Sequence, residues 1–208
     1  MLIDFHSHFC NADSIVCNAD ASEPSRKPAL LKCVGLLPDQ WSPERQNQLL
    51  SLLNSDESLQ LGEVGLDRRF EGLLPLDRQI NVLRQELEFA TEKGRSVSLH
   101  CVHATKPMLD LLGKLSFRSY SILWHGFSGS VETAAQLARL KVIISVGPRF
   151  KGEISELIKS NHYTVPETDY EGSDEAEHWK ILQNQYLRFP EYYPERAMEI
   201  FSLFNTGC

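Results

Sequence analysis

The sequence has no apolar run near the ~20 residues needed to cross a bilayer, and its opening, Met1-Leu-Ile-Asp-Phe-His, lacks the basic-then-apolar pattern of a secretory leader. Cysteine is scarce. The five present (Cys10, Cys17, Cys33, Cys101, Cys208) are odd in number and form no Cys-x-x-Cys pair, so a disulfide framework is not expected. Together these absences lead us to expect a reduced, soluble, cytoplasmic chain that does not engage a membrane. Positive charge is also short: 21 Lys and Arg stand against 28 Asp and Glu, a net charge of −7. That balance disfavours binding nucleic acid through a broad basic surface. It leaves room for a carboxylate-lined metal site, where the cation supplies positive charge locally. No internal repeat and no low-complexity tract is found. What remains is the composition of one ordinary globular domain over residues 1–208.

Short apolar runs near 2–6, 33–37, 59–64, 97–100, 120–125, 142–146 and 163–165 read as strands. Between them, helical patterns fall near 42–54, 76–93, 105–115, 130–140 and 152–160. In the second of these Ile80, Leu83, Leu87 and Ala90 make one apolar stripe, and Gly94 sits where a C-cap belongs. Ser42 before Pro43 and Ser130 before Val131 look like helix starts. Alternation of this kind predicts parallel strands joined by crossover helices, in a barrel or a doubly wound sheet. Residues 9–32 break the rhythm, and the tail after Asp169 is irregular until a last amphipathic helix near 194–204.

The metal-capable residues fall at the ends of these strands. His6 and His8 close the first run, and period-two alternation puts Asp4, His6 and His8 on one face. Glu63 closes the run from Leu59, His100 the run from Val97, and His125 the run from Ile122; Asp169 follows the run from Tyr163. In a parallel α/β barrel all such ends share one face, the face that carries active sites. Several imidazoles with two carboxylates there could hold one or two divalent cations.

His6-Ser-His8, Gly62-Glu-Val-Gly-Leu-Asp67, Leu99-His-Cys-Val-His-Ala104, His125-Gly-Phe-Ser-Gly-Ser130 and Glu167-Thr-Asp169 follow one another in an order that resembles the TatD-like metal-dependent deoxyribonucleases. The resemblance runs from residue 1 to about 170. It implies an α/β fold, a (β/α) TIM-type barrel of the metal-dependent hydrolase type, and hydrolysis of phosphodiester bonds in DNA, single strands or 3′ ends included. By matching position, His6, His8, Glu63 and Asp169 would hold one cation; Glu63, His100 and His125 would hold a second. Mg, Mn and Zn all suit such a set. Asp169 and Glu63 would be the catalytic carboxylates, with Asp169 orienting the water or accepting its proton.

The chain is shorter than the family's usual length by about one strand–helix unit, and the gap falls largely in 9–32. A barrel missing or distorting that unit is therefore expected, with an open edge that a protein partner or oligomer could cover. Val102 and His103 replace the family's usual Arg and Asp after His100. His103 is either a phosphate-contacting group or a surface histidine, and Arg68 is either a phosphate ligand or a solvated loop residue. Backbone N–H groups near Ser128 could meet phosphate at a helix start. Two alternatives stand beside the nuclease reading: a phosphatase-type phosphoesterase on a small substrate, and a subunit that acts only within a protein complex. The aromatic tail segment 186–193 either stacks bases or packs under the barrel.

Overall fold

The computed structural model describes residues 1–10, 12–22 and 27–205, leaving aside the side chains of 12–15. Eight parallel strands pair in chain order: β1 (Asp4–Ser7), β2 (Ala12–Asp20), β3 (Ala29–Gly35), β4 (Leu59–Asp67), β5 (Val97–Val102), β6 (Ile122–Trp124), β7 (Ile143–Val146) and β8 (Thr164–Pro166). The Asp169 N–H donates to the His6 carbonyl at 2.9 Å and the Thr168 N–H to Asp4 Oδ1 at 2.9 Å. These bonds draw the end of β8 against β1 and bring the sheet to near closure. The result is the TIM-type barrel that the family resemblance implied, one of the two architectures left open by the strand–helix alternation.

Helices α1 (Pro43–Ser55), α2 (Leu76–Glu92), α3 (Thr105–Leu112), α4 (Val131–Arg139), α5 (Ile154–Ser160) and α6 (Glu175–Tyr186) follow β3 to β8 in turn, and α7 (Tyr193–Asn205) is the last helix among the described residues. Ser42 accepts from the Arg45 N–H and Ser130 from the Thr133 N–H, so both expected helix starts are capped. Leu83, Leu87 and Ala90 are buried along α2, and Gly94 follows it with φ at 69°. Strand alternation divides the core in two. Trp124 and Ile144 pack outward with Leu87, Met108, Leu137 and Leu157, whereas their neighbours Leu123 and Ile143 join Phe5, Val16, Phe201 and Phe204.

The second cluster belongs to the barrel floor. Tyr186 Oη donates to the Ile3 carbonyl and accepts from its N–H, both at 3.0 Å. Tyr193 Oη donates to the Thr164 carbonyl at 2.7 Å, and Ser96 Oγ donates to that of Phe204 at 2.5 Å. Ile3, Ser96 and Thr164 all stand at the N-terminal ends of strands, so α7 closes that end and leaves the C-terminal end open. Tyr186, Phe189 and Tyr193 are buried here, which settles most of the aromatic tail as packing; Tyr192 stays exposed.

Two elements depart from the sequence reading. β2 lies within the segment that broke the rhythm, and α6 lies in the tail that looked irregular. The shortfall in length therefore falls on helices and not on strands. Four residues separate β1 from β2 and eight separate β2 from β3, fewer than a crossover helix needs; among the described residues no helix lies between them. The open sheet edge anticipated above is correspondingly filled by β2. A second departure concerns the cysteines. Cys10 and Cys17 form a disulfide, with Cα atoms 5.2 Å apart, which ties the segment just after β1 to β2. Cys33 and Cys101 are free thiols, and Cys208 lies outside the described residues. Among the described residues, no helix is long and apolar enough to cross a membrane.

Candidate active site

Five side chains from the C-terminal ends of the strands, those of His6, His8, His100, His125 and Asp169, gather around Glu63. On one side, His6 Nε2 lies 3.7 Å and His8 Nε2 3.5 Å from Glu63 Oε2, and the same two nitrogens lie 3.8 and 3.7 Å from Asp169 Oδ1. On the other, His100 Nδ1 and His125 Nε2 lie 2.6 and 2.5 Å from Glu63 Oε1, and 3.2 Å from each other. The rings of His6 and His125 stack at 3.8 Å between these halves. All six residues picked out by strand-end position are thus brought together.

Local structure explains the placement. A Cβ on Gly65 would collide with the His100 carbonyl, so glycine there lets β5 lie close to β4 and sets His100 beside Glu63. Asp169 adopts φ of 51°, a left-handed conformation that Asp tolerates better than most residues. The expectation for Asp4 is corrected. The β1–β2 register slips between Asp4 and Ser7, and Asp4 turns into a buried network instead. It accepts from Thr168 Oγ1 at 2.5 Å and sits 2.7 Å from His178 Nε2.

Electrostatics tie the cluster together. Burial pushes the Glu63 carboxyl up, yet His125, His100 and His6 together hold it well below the usual carboxylate range. Burial works against charge on His125, but the Glu63 carboxylate outweighs it and raises the imidazole to about 9. Burial, with His125 alongside, drives His6 well below the usual imidazole value. Behind them, burial raises Glu167 to about 7; its carboxylate accepts from the Gly126 N–H at 2.8 Å and from Ser145 Oγ at 2.5 Å.

The donor set fits a divalent cation. His6 Nδ1 is bonded to Ser98 Oγ at 3.0 Å, which turns Nε2 toward the carboxylates, and that Nε2 is buried with no hydrogen-bond partner. An orphaned buried nitrogen aimed at two carboxylate oxygens calls for a ligand. His6, Glu63 and His125 form one group spaced for an ion, and His6, His8 and Asp169 form another.

A cleft of about 610 Å³ opens over these residues, with Arg69, His103, Ser128 and Arg149 in its walls. His103 and Ser128 are therefore at the cleft, as the sequence suggested. Arg68 is not: it pairs with Glu71 at 2.7 Å on the exposed turn after β4. Its neighbour Arg69 lines the cleft and holds Asp67. Sequence reasoning also missed Arg149, which bonds Asp169, and the supporting roles of Ser98 and Asp67. Asp67 was visible inside the Gly-Glu-x-Gly-Leu-Asp element, whereas Ser98 and Arg149 carried no signal beyond their place near a strand.

Comparison with known proteins agrees with this geometry. The model of the TatD related DNase family matches residues 4–189. The chain is 27% identical over 107 residues to the human 3'-5' RNA nuclease TATDN2, covering 51% of this chain but 14% of that protein. In fold it is similar to YJJV, a TATD homolog from Escherichia coli, with a TM-score of 0.70 and 21% identity over 91% of this chain and 85% of the other. An uncharacterized amidohydrolase from Saccharomyces cerevisiae follows at a TM-score of 0.57 and 15% identity, over 86% and 71% of the two chains. With the match spanning nearly the whole barrel and every strand-end residue in place, the chain belongs to the TatD related DNase family.

Proposed function

We propose that this chain is a divalent-metal-dependent hydrolase of phosphodiester bonds in nucleic acid, with single-stranded DNA and its 3′ ends as the first substrate to test. The observation that carries the reading is the convergence of four imidazoles and two carboxylates on one face, with the buried Nε2 of His6 left unpartnered among them. In this reading His6, His8, Glu63 and Asp169 would hold one cation, and Glu63, with His100 and His125, would hold a second. Mg, Mn and Zn are the candidates for such a mixed nitrogen and oxygen set. Bound there, the cations would supply Lewis acidity to a phosphoryl oxygen and make a nearby water more acidic.

The chain's own residues do the rest. Asp169, at the mouth of the cleft and a partner of Arg149, orients the attacking water and accepts its proton. Glu63 stays ionised because three histidines surround it. Arg69, Arg149 and His103 in the cleft walls meet the phosphate charge locally, which lets an acidic protein take a polyanion. The name of the human relative, an RNA nuclease, makes RNA the second substrate to compare.

The test is cleavage of end-labelled single- and double-stranded DNA and of RNA, after EDTA and after adding back Mg²⁺, Mn²⁺ or Zn²⁺. Metal-dependent cleavage by the wild type, lost in both Glu63→Gln and Asp169→Asn, is the expected result. A folded, metal-loaded wild type that cuts a small phosphoester but no polynucleotide would overturn the nucleic-acid reading.

A further inference from the structure

The catalytic cleft does not end at Arg149. A second cleft of about 630 Å³ continues from it, sharing Ser128, Arg149 and Phe150, and runs between α4 and α5. Phe150 stands at the join, partly buried, with its backbone fixed from behind. Its N–H donates to the Gly147 carbonyl at 3.2 Å, and Arg188 donates to the Phe150 carbonyl at 2.7 Å and to that of Gly147 at 3.2 Å. Gly152 lies against the ring, where a Cβ would come within 2.6 Å of Phe150 Cζ. Any side chain at 152 would displace the ring. Phe150 also packs against the buried cluster of Ile154, Phe189 and Tyr193, so the aromatic group is held in place before any ligand arrives, which lowers the entropy lost on binding.

The chemistry of the second cleft differs from that of the first. Val131, Leu157, Phe150 and two glycines give it apolar walls, while Glu132, Glu153 and Glu156 stand around it with Lys151. Three carboxylates disfavour a phosphate inside. A flat, uncharged ring suits the space, and a cation beside the ring, Arg149, suits a phosphate at the join.

We propose that the second cleft receives the base of the nucleotide adjoining the scissile phosphate, stacked on Phe150, while Arg149 faces the linking phosphate. The inference rests on the nucleic-acid reading above and sharpens it. The substrate is a strand at least two nucleotides long, engaged unpaired, because a base inside a duplex has no free face to offer. Base identity matters little, since every base presents a π-face.

The test uses the full chain and a fluorescein-labelled oligothymidylate. Binding is read by anisotropy in Ca²⁺, and hydrolysis is read in Mg²⁺ or Mn²⁺ beside bis(p-nitrophenyl) phosphate. Phe150→Ala is expected to weaken oligonucleotide binding about 5- to 100-fold, with Phe150→Trp restoring it. The kcat/KM on the oligonucleotide should fall by a similar factor, through KM, and by much less on the small ester. Val131→Gln, which lengthens an exposed side chain on the second cleft without adding charge, should weaken the oligonucleotide in the same way, and it decides the matter if Phe150→Ala does not fold. Equal losses on both substrates, or no rescue by Trp, would show that the ring acts only in packing and overturn the subsite. If the wild type binds the oligonucleotide and neither variant changes it, the subsite fails alone. If the wild type does not bind it at all, the nucleic-acid reading fails and takes the subsite with it.

Discussion

Asp67 Oδ2 lies 3.0 Å from His100 Nε2, and the opposite nitrogen of that ring, Nδ1, lies 2.6 Å from Glu63 Oε1. Burial pushes the Asp67 carboxyl up, but hydrogen bonds from Arg69 and His100 bring it below the ordinary value. With a cation in place, an ionised acceptor on one side of the ring would keep the proton on Nε2 and leave the Nδ1 lone pair for the metal. Asp67→Asn keeps the shape and removes the charge. Affinity for Mn²⁺, measured by isothermal titration calorimetry, should fall about 10- to 100-fold, as such supporting partners typically contribute. Unchanged affinity would show that His100 does not depend on this partner.

Arg149 bonds Asp169 while its own side chain is 83% exposed. With the guanidinium this open to solvent, although Asp169 is only 10% exposed, the pair contributes little to folding, at most about 1 kcal/mol. On the proposed function its use lies in the cleft, where the guanidinium would leave Asp169 for a phosphate. Arg149→Ala should leave the melting temperature nearly unchanged and raise KM for an oligonucleotide severalfold. The penalty should shrink as salt rises from low to physiological ionic strength, because added ions screen the lost attraction. A large drop in melting temperature would instead make Arg149 a structural residue.

How much of this was legible in the sequence depended on where the information lies. Glu63 and the five residues around it were readable because each is a polar group closing an apolar strand, and parallel topology sends all those ends to one face. Asp4 misled because alternation assumes an unbroken register, and the slip before Ser7 breaks it. The helix α6 was missed because it buries His178 and Gln185 alongside Leu182 and Tyr186, which blurs its apolar stripe. In β2 the polar Asn18 is buried beside Val16 and Cys17, so the strand lacks a clean pattern. Arg149 and Arg68 look alike on paper, each a cation just past a strand, and only the turn that follows decides which one faces the cleft.

The Cys10–Cys17 pairing closes a short loop, with a sequence separation of 7, two residues beyond His8. In the chain-entropy account, closing so small a loop contributes about 2 kcal/mol. Iodoacetamide in denaturing urea, followed by peptide mass spectrometry, should leave Cys10 and Cys17 unlabelled in the unreduced chain, buried as both are in the fold, and label them after reduction. Urea denaturation with dithiothreitol should lower the unfolding free energy by about that amount, and Cys10→Ser with Cys17→Ser should reproduce the loss without reductant. Free alkylation of both thiols in the unreduced protein would remove the pairing from the native state.

Glu86, on the inner face of α2, is buried, and one carboxylate oxygen has no hydrogen-bond partner. Burial raises its carboxyl to about 8, only partly offset by the Gln46 side chain, against ~4.3 in an unfolded chain. The folded state thus keeps a proton that the unfolded chain releases. Stability from this group is complete below about pH 4 and is lost progressively as pH rises through 8. Glu86→Gln keeps the size and removes the titration. Between pH 5 and pH 8 the wild type should lose on the order of 3 kcal/mol more unfolding free energy than the variant in urea titrations. Parallel pH profiles for the two proteins would mean that water reaches Glu86 and lets it ionise in place.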